Sequence, residues 1–187
     1  MNAMTTAPAA PLSPYSSALS KENIETHTLS VLVDNEPGVL ARVVGLFSGR
    51  GYNIESLTVA EVAQSEHLSR ITIVTSGTPV AIEQIGQQLE RLVPIHKVTD
   101  LTLQGGFVQR ELAMIKVAGK GADREEALRL SDAFRARVVD ASIESFVFEL
   151  TGAVDKINQF IELMRPIGLV EVSRTGVAAI SRGPKPM

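Results

Sequence analysis

Two ferredoxin-like domains of the α+β class, one after the other, are predicted for this chain. In each half, strand and helix signals follow the order β-α-β-β-α-β, which is typical of a four-stranded antiparallel sheet with both helices on one face. An amphipathic helix spacing recurs at the corresponding place in both halves. The 187 residues, 44% of them hydrophobic, are sufficient for two small cores. We therefore expect domains at residues 27–104 and 105–183.

The first domain opens with the apolar run 29–33, which is typical of a buried strand. A helix is expected after the turn at 34–38, because Val39, Val43 and Phe47 recur every four residues. Two strands that form a hairpin, a helix with a threonine cap and a first-turn proline, and a last strand complete this domain: 52–61, 68–75, from 79 onward, and 93–103.

The second domain repeats this order, with a second capped helix before its last strand. Ile157, Phe160 and Met164 each lie 75 positions after Ile82, Ile85 and Leu89, and this offset indicates an internal structural repeat. Phe146 and Phe148 alternate with Val147, which favours a strand with one core face. The predicted strands are 112–118, 137–141, 144–150 and 169–173, the first helix is 122–135, and 176–180 is an extra strand or a docking segment.

Composition excludes several classes of protein. The formal charge of −3 comes from well-mixed acidic and basic residues, so no basic surface for nucleic acid is predicted. The chain has no cysteine and no apolar run of membrane-spanning length, and a cytoplasmic protein is expected. Residues 1–26 are rich in Ala, Ser, Thr and Pro and are predicted to be a disordered leader, and residues 184–187 a short tail.

No catalytic constellation is predicted. The three histidines are far apart in sequence, show no metal-ligand spacing, and are expected at the surface or at strand ends. Residues 119–121 resemble a phosphate-binding loop only superficially, since Gly121 precedes alanine, and they are predicted to form a strand-to-helix turn. RNA binding by a ferredoxin-like sheet would require exposed aromatic residues on the central strands, and the strand at 29–33 has none.

The segment 34–40 takes the chain from a strand into a helix and is the most informative stretch. A helix N-terminus presents free N–H groups and a partial positive charge, which suit a small carboxylate. Gly38 would allow a ligand close to the backbone, and the Asn35 amide offers both a donor and an acceptor. Pro37 is expected as the first residue of the helix. The alternative is that these are ordinary turn and cap residues, and the residue types alone leave both interpretations open.

Longer segments carry a resemblance to a known family. Residues 34–40, 42–48 and 50–59 closely resemble the ACT domain that opens the small subunit of acetolactate synthase, and the likeness covers nearly all of residues 27–183. It continues through three shorter segments near the middle and the end of the chain: 68–73, 110–112 and 174–177, with 181–183.

The resemblance implies a non-catalytic regulatory subunit. Such a subunit activates a separate large subunit, which carries thiamine diphosphate, magnesium and FAD, and makes it sensitive to valine or another branched-chain amino acid. No cofactor is expected in this chain, which would form a homodimer through its ACT domains. The resemblance places the bound amino acid between two subunits, with one set of residues on each side: Asn35, Gly38, Val39 and Leu40, facing Asn53 and Ile54. The alternative is a stand-alone ACT-type sensor that acts on another enzyme or on a transcriptional complex.

Overall fold

The computed structural model describes residues 23–185 of the chain, and its first half forms one antiparallel sheet with two helices on one face. The strands lie in the order β2-β3-β1-β4, so β2 and β4 are the edges. The elements, in chain order, are β1 (Glu25–Asp34), α1 (Val39–Arg50), β2 (Ser56–Ala63), β3 (Leu68–Gly77), α2 (Pro79–Glu90) and β4 (Ile95–Asp100), with a short 3₁₀ turn at Gln64–Glu66.

The second half repeats this arrangement with strand order β6-β7-β5-β8, and a ninth strand pairs with β5. The predicted α+β class with two β-α-β-β-α-β units is therefore confirmed. Its elements are β5 (Phe107–Ala118), α3 (Ala122–Phe134), β6 (Arg137–Ala141), β7 (Ser145–Gly152), α4 (Val154–Gly168), β8 (Leu169–Arg174) and β9 (Ala178–Ser181). The turn predicted at 119–121 joins β5 to α3.

Each half has its own hydrophobic core between sheet and helices. In the first core, the stripe Val39, Val43 and Phe47 of α1 packs against alternate residues of β1 and β3. In the second, Phe146 and Phe148 share the buried face of β7, as their alternation predicted. The helix residues spaced three and four apart are therefore core residues in both halves, since they form the side of each helix that faces the sheet.

The 75-residue repeat extends to the helix starts. Gly77 and Gly152 end equivalent strands, and the residues before α2 and α4 have almost the same backbone angles, φ −67° and ψ 154° at Thr78 and φ −67° and ψ 151° at Ala153. The Thr78 side chain accepts a hydrogen bond from the Ala81 amide at 3.3 Å. Alanine has no such group, so the second capped helix that the sequence predicted begins without a side-chain cap.

Three of the strand ends that differ from the predicted ones have identifiable causes. Strand β2 begins at residue 56 rather than 52, because the Tyr52 amide bonds back to the Phe47 carbonyl and closes the end of α1. Strand β4 ends at Asp100 rather than 103, because the Asp100 carboxylate accepts from the amides of Thr102 and Leu103 and turns the chain. Strand β5 begins at 107 rather than 112, because β9 pairs with its first residues.

Most of the predicted leader and half of the predicted tail lie outside the residues that the structure describes. Of the leader predicted over 1–26, residues 1–22 are outside the described range, while Glu25 and Thr26 already belong to β1. Of the tail predicted over 184–187, residues 186 and 187 are outside it as well. We keep 27–104 and 105–183 as the proposed domain limits.

Strand β9 and residues 107–110 of β5 form a two-stranded ribbon, in which Phe107 pairs with Ser181 and Arg110 with Ala178. The extra strand expected near 176–180 is thus present. The ribbon covers the face of the first sheet that points away from the helices, and the two parts share a small apolar cluster: Val74, Leu101, Val177 and Ala179. Under the ribbon, Thr99, Ser30 and Thr72 occupy neighbouring cross-strand positions, and all three are buried.

The connection between β8 and β9 is bonded to β2 of the first sheet. The Val177 amide donates to the Ser56 hydroxyl at 2.9 Å, and the Thr58 hydroxyl donates to the Thr175 carbonyl at 3.4 Å. Gly176 lies between these two bonds with φ +80°. A Cβ atom at Gly176 would lie 2.8 Å from the Ser56 Oγ and 2.9 Å from the Thr58 Oγ1, so only glycine fits this approach without displacement.

Candidate functional site

The loop between β1 and α1 is a tight turn that places the helix N-terminus at the surface. The Val39 amide contacts the Glu36 carbonyl at 3.4 Å, with Pro37 and Gly38 as the central residues of the turn. Gly38 has φ +89° and ψ −9°, the conformation that the third residue of a type II turn requires. Gly38 is also the N-cap of α1, so Pro37 precedes the helix, and the expectation that it is the first helical residue is wrong.

The first turn of α1 contains backbone amides that find no acceptor among the described residues. Gly38 has no side chain to cap the helix, and within residues 23–185 the amides of Leu40 and Ala41 donate to no acceptor. The first turn also contains no acidic residue that would neutralise the positive end of the helix dipole. The N-terminus of α1 is therefore able to bind a carboxylate.

Asn35 holds the loop by its backbone and leaves its side chain free. Its amide donates to the His67 carbonyl at 2.6 Å, which fixes the loop against the start of β3. The Asn35 side chain is exposed and makes no hydrogen bond to the described residues. The Leu40 side chain is 41% exposed, so it offers an apolar surface beside the free amides. Asn35, Gly38 and Leu40 thus lie together around one helix end.

Val39 contributes to this place only through its backbone. Its side chain is 4% exposed and packs in the first core with Val43 and Phe47. The apolar spacing of α1 had predicted this burial, whereas the resemblance placed Val39 in the binding site. The two expectations are compatible if the ligand contacts the peptide group of Val39 while the Val39 side chain stays in the core.

Asn53 and Ile54 lie at the other end of the same sheet. The Asn53 carbonyl accepts from the Thr75 hydroxyl near the end of β3, at 2.6 Å, while Asn35 is bonded to His67 just before β3 begins. Eight residues of extended chain separate these two anchors, about 26 Å at roughly 3.3 Å per residue. The Asn53 side chain is exposed, and Ile54 is half-buried against the first core. Within one chain, the six predicted site residues therefore form two separate groups.

The histidines have individual environments. His96 is half-exposed and contacts Asp34 at 2.6 Å, and His67 has φ +52° at the start of β3. His27, expected at the surface or at a strand end, is 4% exposed inside β1, where its Nδ1 lies 2.7 Å from the Asp100 carboxylate. Between residues 23 and 185, no group of three or more potential ligand side chains is placed to hold a metal ion. No described helix has the length and apolar character needed to cross a membrane.

A cavity of about 480 Å³ between the two halves contains none of the six predicted site residues. Its polar wall includes Arg174, which donates to both carboxylate oxygens of Glu111, at 2.8 and 2.5 Å, and to the Asn158 side chain at 2.9 Å. The hydrogen bond to Glu111 raises the pKa of Arg174, against the opposing effect of burial. Nothing in the sequence spacing of residues 111 and 174 predicted this ion pair, in which Glu111 is buried and Arg174 is 35% exposed.

Two β-α-β-β-α-β units, an exposed strand-to-helix loop with unoccupied donors, and strand order β2-β3-β1-β4 define a protein with an ACT-type first domain. Comparison with known families agrees with this class in both halves. Residues 29–97 match the family described as the AHAS small subunit-like ACT domain, and residues 110–183 match the small subunit of acetolactate synthase.

Individual proteins give the same result. The chain is 48% identical over 159 residues to a probable acetolactate synthase small subunit of Archaeoglobus fulgidus, covering 85% of this chain and 98% of the relative. It is 45% identical over 160 residues to the acetolactate synthase isozyme 3 small subunit of Salmonella typhimurium, covering 85% and 97%. The crystal structure of the acetolactate synthase small subunit from Thermotoga maritima superimposes with a TM-score of 0.77 at 40% identity, covering 86% and 99%. The chain belongs to the family of acetolactate synthase small subunits.

Proposed function

We propose that this chain is the regulatory subunit of an acetolactate synthase: it activates a separate catalytic subunit and makes that subunit sensitive to inhibition by valine. The observation that carries the proposal is the N-terminus of α1, where free amides, a glycine backbone and the unpaired Asn35 side chain lie together at the surface. Family membership supports the partner, and the local chemistry supports the ligand.

The ligand would be held by both of its charged ends. The amides at the start of α1 would donate to the α-carboxylate, and the Asn35 side-chain oxygen would accept from the α-ammonium. Leu40 and Ile54 would contact the branched side chain. Selectivity among branched-chain amino acids should be modest, since one methylene in an apolar pocket changes the binding free energy by roughly 1 to 3 kcal/mol.

A homodimer is the simplest way to bring the two groups of site residues together. Strand β2 is an edge strand with an exposed second half, and it runs from the Asn53 end of the sheet to the Asn35 end. If two copies pair their β2 strands antiparallel about a twofold axis, the Asn53 end of one chain lies beside the Asn35 end of the other. The distance of about 26 Å within one chain thus supports a site that is shared between two chains.

In this proposal the catalytic chemistry belongs to the partner. The large subunit would carry thiamine diphosphate, magnesium and FAD, and this chain would act by linkage, with valine favouring one packing of the dimer over another. A cytoplasmic location stays a prediction.

The central experiment measures acetolactate formation by the large subunit of the same organism, with and without this chain, across a valine titration. We expect activation by the chain and inhibition by valine. Asn35→Ala should keep the activation and raise the valine concentration needed for inhibition, whereas Gln87→Ala, which removes an exposed amide from α2, should change neither. If the rate responds to neither the chain nor valine, a stand-alone sensor for another enzyme or a transcriptional complex becomes the better proposal.

Gly38 allows charge to be separated from backbone strain. A Cβ atom at Gly38 has open space around it, but φ +89° is unfavourable for any L residue. Gly38→Ala therefore adds strain alone. Gly38→Asp adds no more strain than alanine, because aspartate tolerates a positive φ better, but it places a negative charge beside the carboxylate position. We expect much weaker inhibition by valine in the aspartate variant than in the alanine variant. If the two variants changed inhibition by valine equally, the N-terminus of α1 would not be binding the carboxylate of the ligand.

A site that is shared between two chains also predicts that sensitivity to valine depends on the dimer. Val59 is 42% exposed on the β2 edge, and Val59→Lys should weaken an edge-to-edge dimer. Sedimentation and the valine titration should then change together, because neither chain alone has the complete site. A monomeric variant that valine still inhibits with unchanged sensitivity would contradict the dimeric site.

A further inference from the structure

A second cavity, of about 370 Å³, lies between the first sheet and the ribbon of β5 and β9. The sheet side is formed by alternate residues of β2 and β3, including Arg70 and Thr72, and the ribbon side includes Arg110 and Ile180. Arg70 and Thr72 are on the face of the sheet opposite to α1 and α2, because Ile71 and Ile73, which alternate with them along β3, point into the first core. The cavity is therefore separate from the proposed valine site.

Two guanidinium groups line this cavity without a carboxylate partner. The Nε atom of Arg70 is buried and makes no hydrogen bond to the described residues. Arg110 donates from Nη1 to the carbonyl oxygen of the adjacent Gln109, at 2.8 Å, and forms no ion pair within residues 23–185. Among the described residues, no acidic side chain lines the cavity. By contrast, Arg174 binds a carboxylate within the chain.

An anion would satisfy these donors. A buried N–H group without an acceptor is unfavourable, and the planar guanidinium group matches the two oxygens of a carboxylate. The rest of the wall is mostly apolar, with Val62 from β2, Val108 from β5 and Ile180 from β9. A cavity near the lower end of the size range for ligand pockets, with apolar walls and a few polar groups, is typical of a site for a small organic molecule.

The same wall selects against amino acids. An α-ammonium group would need acceptors or a carboxylate near it, and the charged groups that line this cavity are both cationic. We propose that the cavity binds a small aliphatic carboxylate without an α-ammonium group, such as a 2-oxo acid, through Arg70 and Arg110. The chain would then distinguish an amino acid at the helix end of the sheet from its amine-free counterpart under the ribbon.

The test compares 3-methyl-2-oxobutanoate with valine, which has the same carbon skeleton, by titration calorimetry on the full chain. We expect saturable binding of the oxo acid that does not compete with valine. Arg70→Gln should weaken this binding by roughly tenfold or more, since it removes a charge-assisted contact. Arg129→Gln is the matched control, because Arg129 is an exposed arginine of α3 that pairs with Glu126 outside the cavity.

A second variant fills the space and leaves the charge. Ala178 lines the cavity from β9 and is exposed, so Ala178→Leu should block the ligand without disturbing a core. Circular dichroism melting of each variant verifies that it is folded. The proposal is overturned if the oxo acid shows no saturable binding at millimolar concentration, if both cavity variants bind it like the control, or if inorganic phosphate binds with equal affinity. It is also overturned if the oxo acid does not bind and Arg70→Gln dissociates a dimer of the chain. That result would indicate that the arginines of the cavity bind a carboxylate of a second copy of the chain.

Discussion

Replacing Gly176 by alanine tests how tightly the two halves are joined. Two effects add at this position: a positive φ, which costs an L residue about 1 to 2 kcal/mol, and a methyl group placed 2.8 Å from the Ser56 Oγ. Displacing Ser56 breaks its hydrogen bond to the Val177 amide, and an unsatisfied buried amide costs about 1 to 3 kcal/mol. We expect a total loss of about 2 to 5 kcal/mol in the free energy of unfolding.

Gly51→Ala is the matched control, because Gly51 has φ +71° and open space where its Cβ atom would lie. This variant should lose only the strain part, about 1 to 2 kcal/mol. Urea unfolding followed by circular dichroism measures both, and the two halves are analysed as separate transitions if they do not unfold together. Equal losses in the two variants would refute the close contact between Gly176 and the first sheet.

A double-mutant cycle isolates the contact itself. In a Ser56→Ala background the new methyl group no longer meets the hydroxyl oxygen, and the Val177 amide has already lost its acceptor. Gly176→Ala should therefore cost less there than in the native chain, with a coupling free energy of about 0.5 to 3 kcal/mol. Simple additivity of the two single substitutions would contradict the geometry.

Three other substitutions test the second half. Arg174→Leu should destabilise the chain by about 1 to 3 kcal/mol, because it removes the hydrogen-bond partner of the Glu111 carboxylate, which is 4% exposed, while the 35% exposed guanidinium is partly screened by solvent. Adding Glu111→Leu should recover most of this loss in urea unfolding, and a double variant no more stable than the single one would contradict it. The hydrogen bond from Lys116 lowers the pKa of Glu171, so the pair stabilises the folded chain above the ordinary carboxyl pKa, and this contribution is lost as the pH falls through the lowered value. The stability difference between the native chain and Lys116→Ala should accordingly shrink below about pH 4, and a difference that grows on acidification would speak against it. Ala153→Thr should give α4 the cap that α2 has and stabilise the chain by about 0.5 to 2 kcal/mol, visible as a higher Tm, while an unchanged or lower Tm would show that the new hydroxyl does not reach the helix amides.

The sequence predicted the parts of the fold that local spacing determines. Ile82 and Ile157, 75 residues apart, are core residues at equivalent places, because helical periodicity alone identifies the side of a helix that faces a sheet. The sequence did not predict the start of β5, since residues 107–110 are a strand only because they pair with β9, which lies 68 to 74 residues further along the chain. Pairing between distant segments leaves little trace in either segment by itself.

The residue types of the candidate site could be predicted from the sequence, but their positions relative to one another in the fold could not. Asn35 and Gly38 stood out because their residue types suit a helix N-terminus that binds a carboxylate. The placement of Asn53 at the opposite end of the sheet follows from the path of β2, which no local pattern encodes. Likewise, Arg70 and Arg110 belong to different halves of the chain, and only the ribbon brings them to one cavity.

The ribbon also sets the order in which the molecule can be completed during synthesis. All strands of the first sheet exist once residue 100 has been added, but the segment that covers its outer face ends at residue 181. At about 5 to 20 residues per second, translation needs about 4 to 16 s to make the intervening chain. During that time Val74, Leu101 and the hydroxyl row of Thr99, Ser30 and Thr72 face solvent or a chaperone. The outer face of the first sheet therefore stays uncovered on the ribosome until residue 181 has been made.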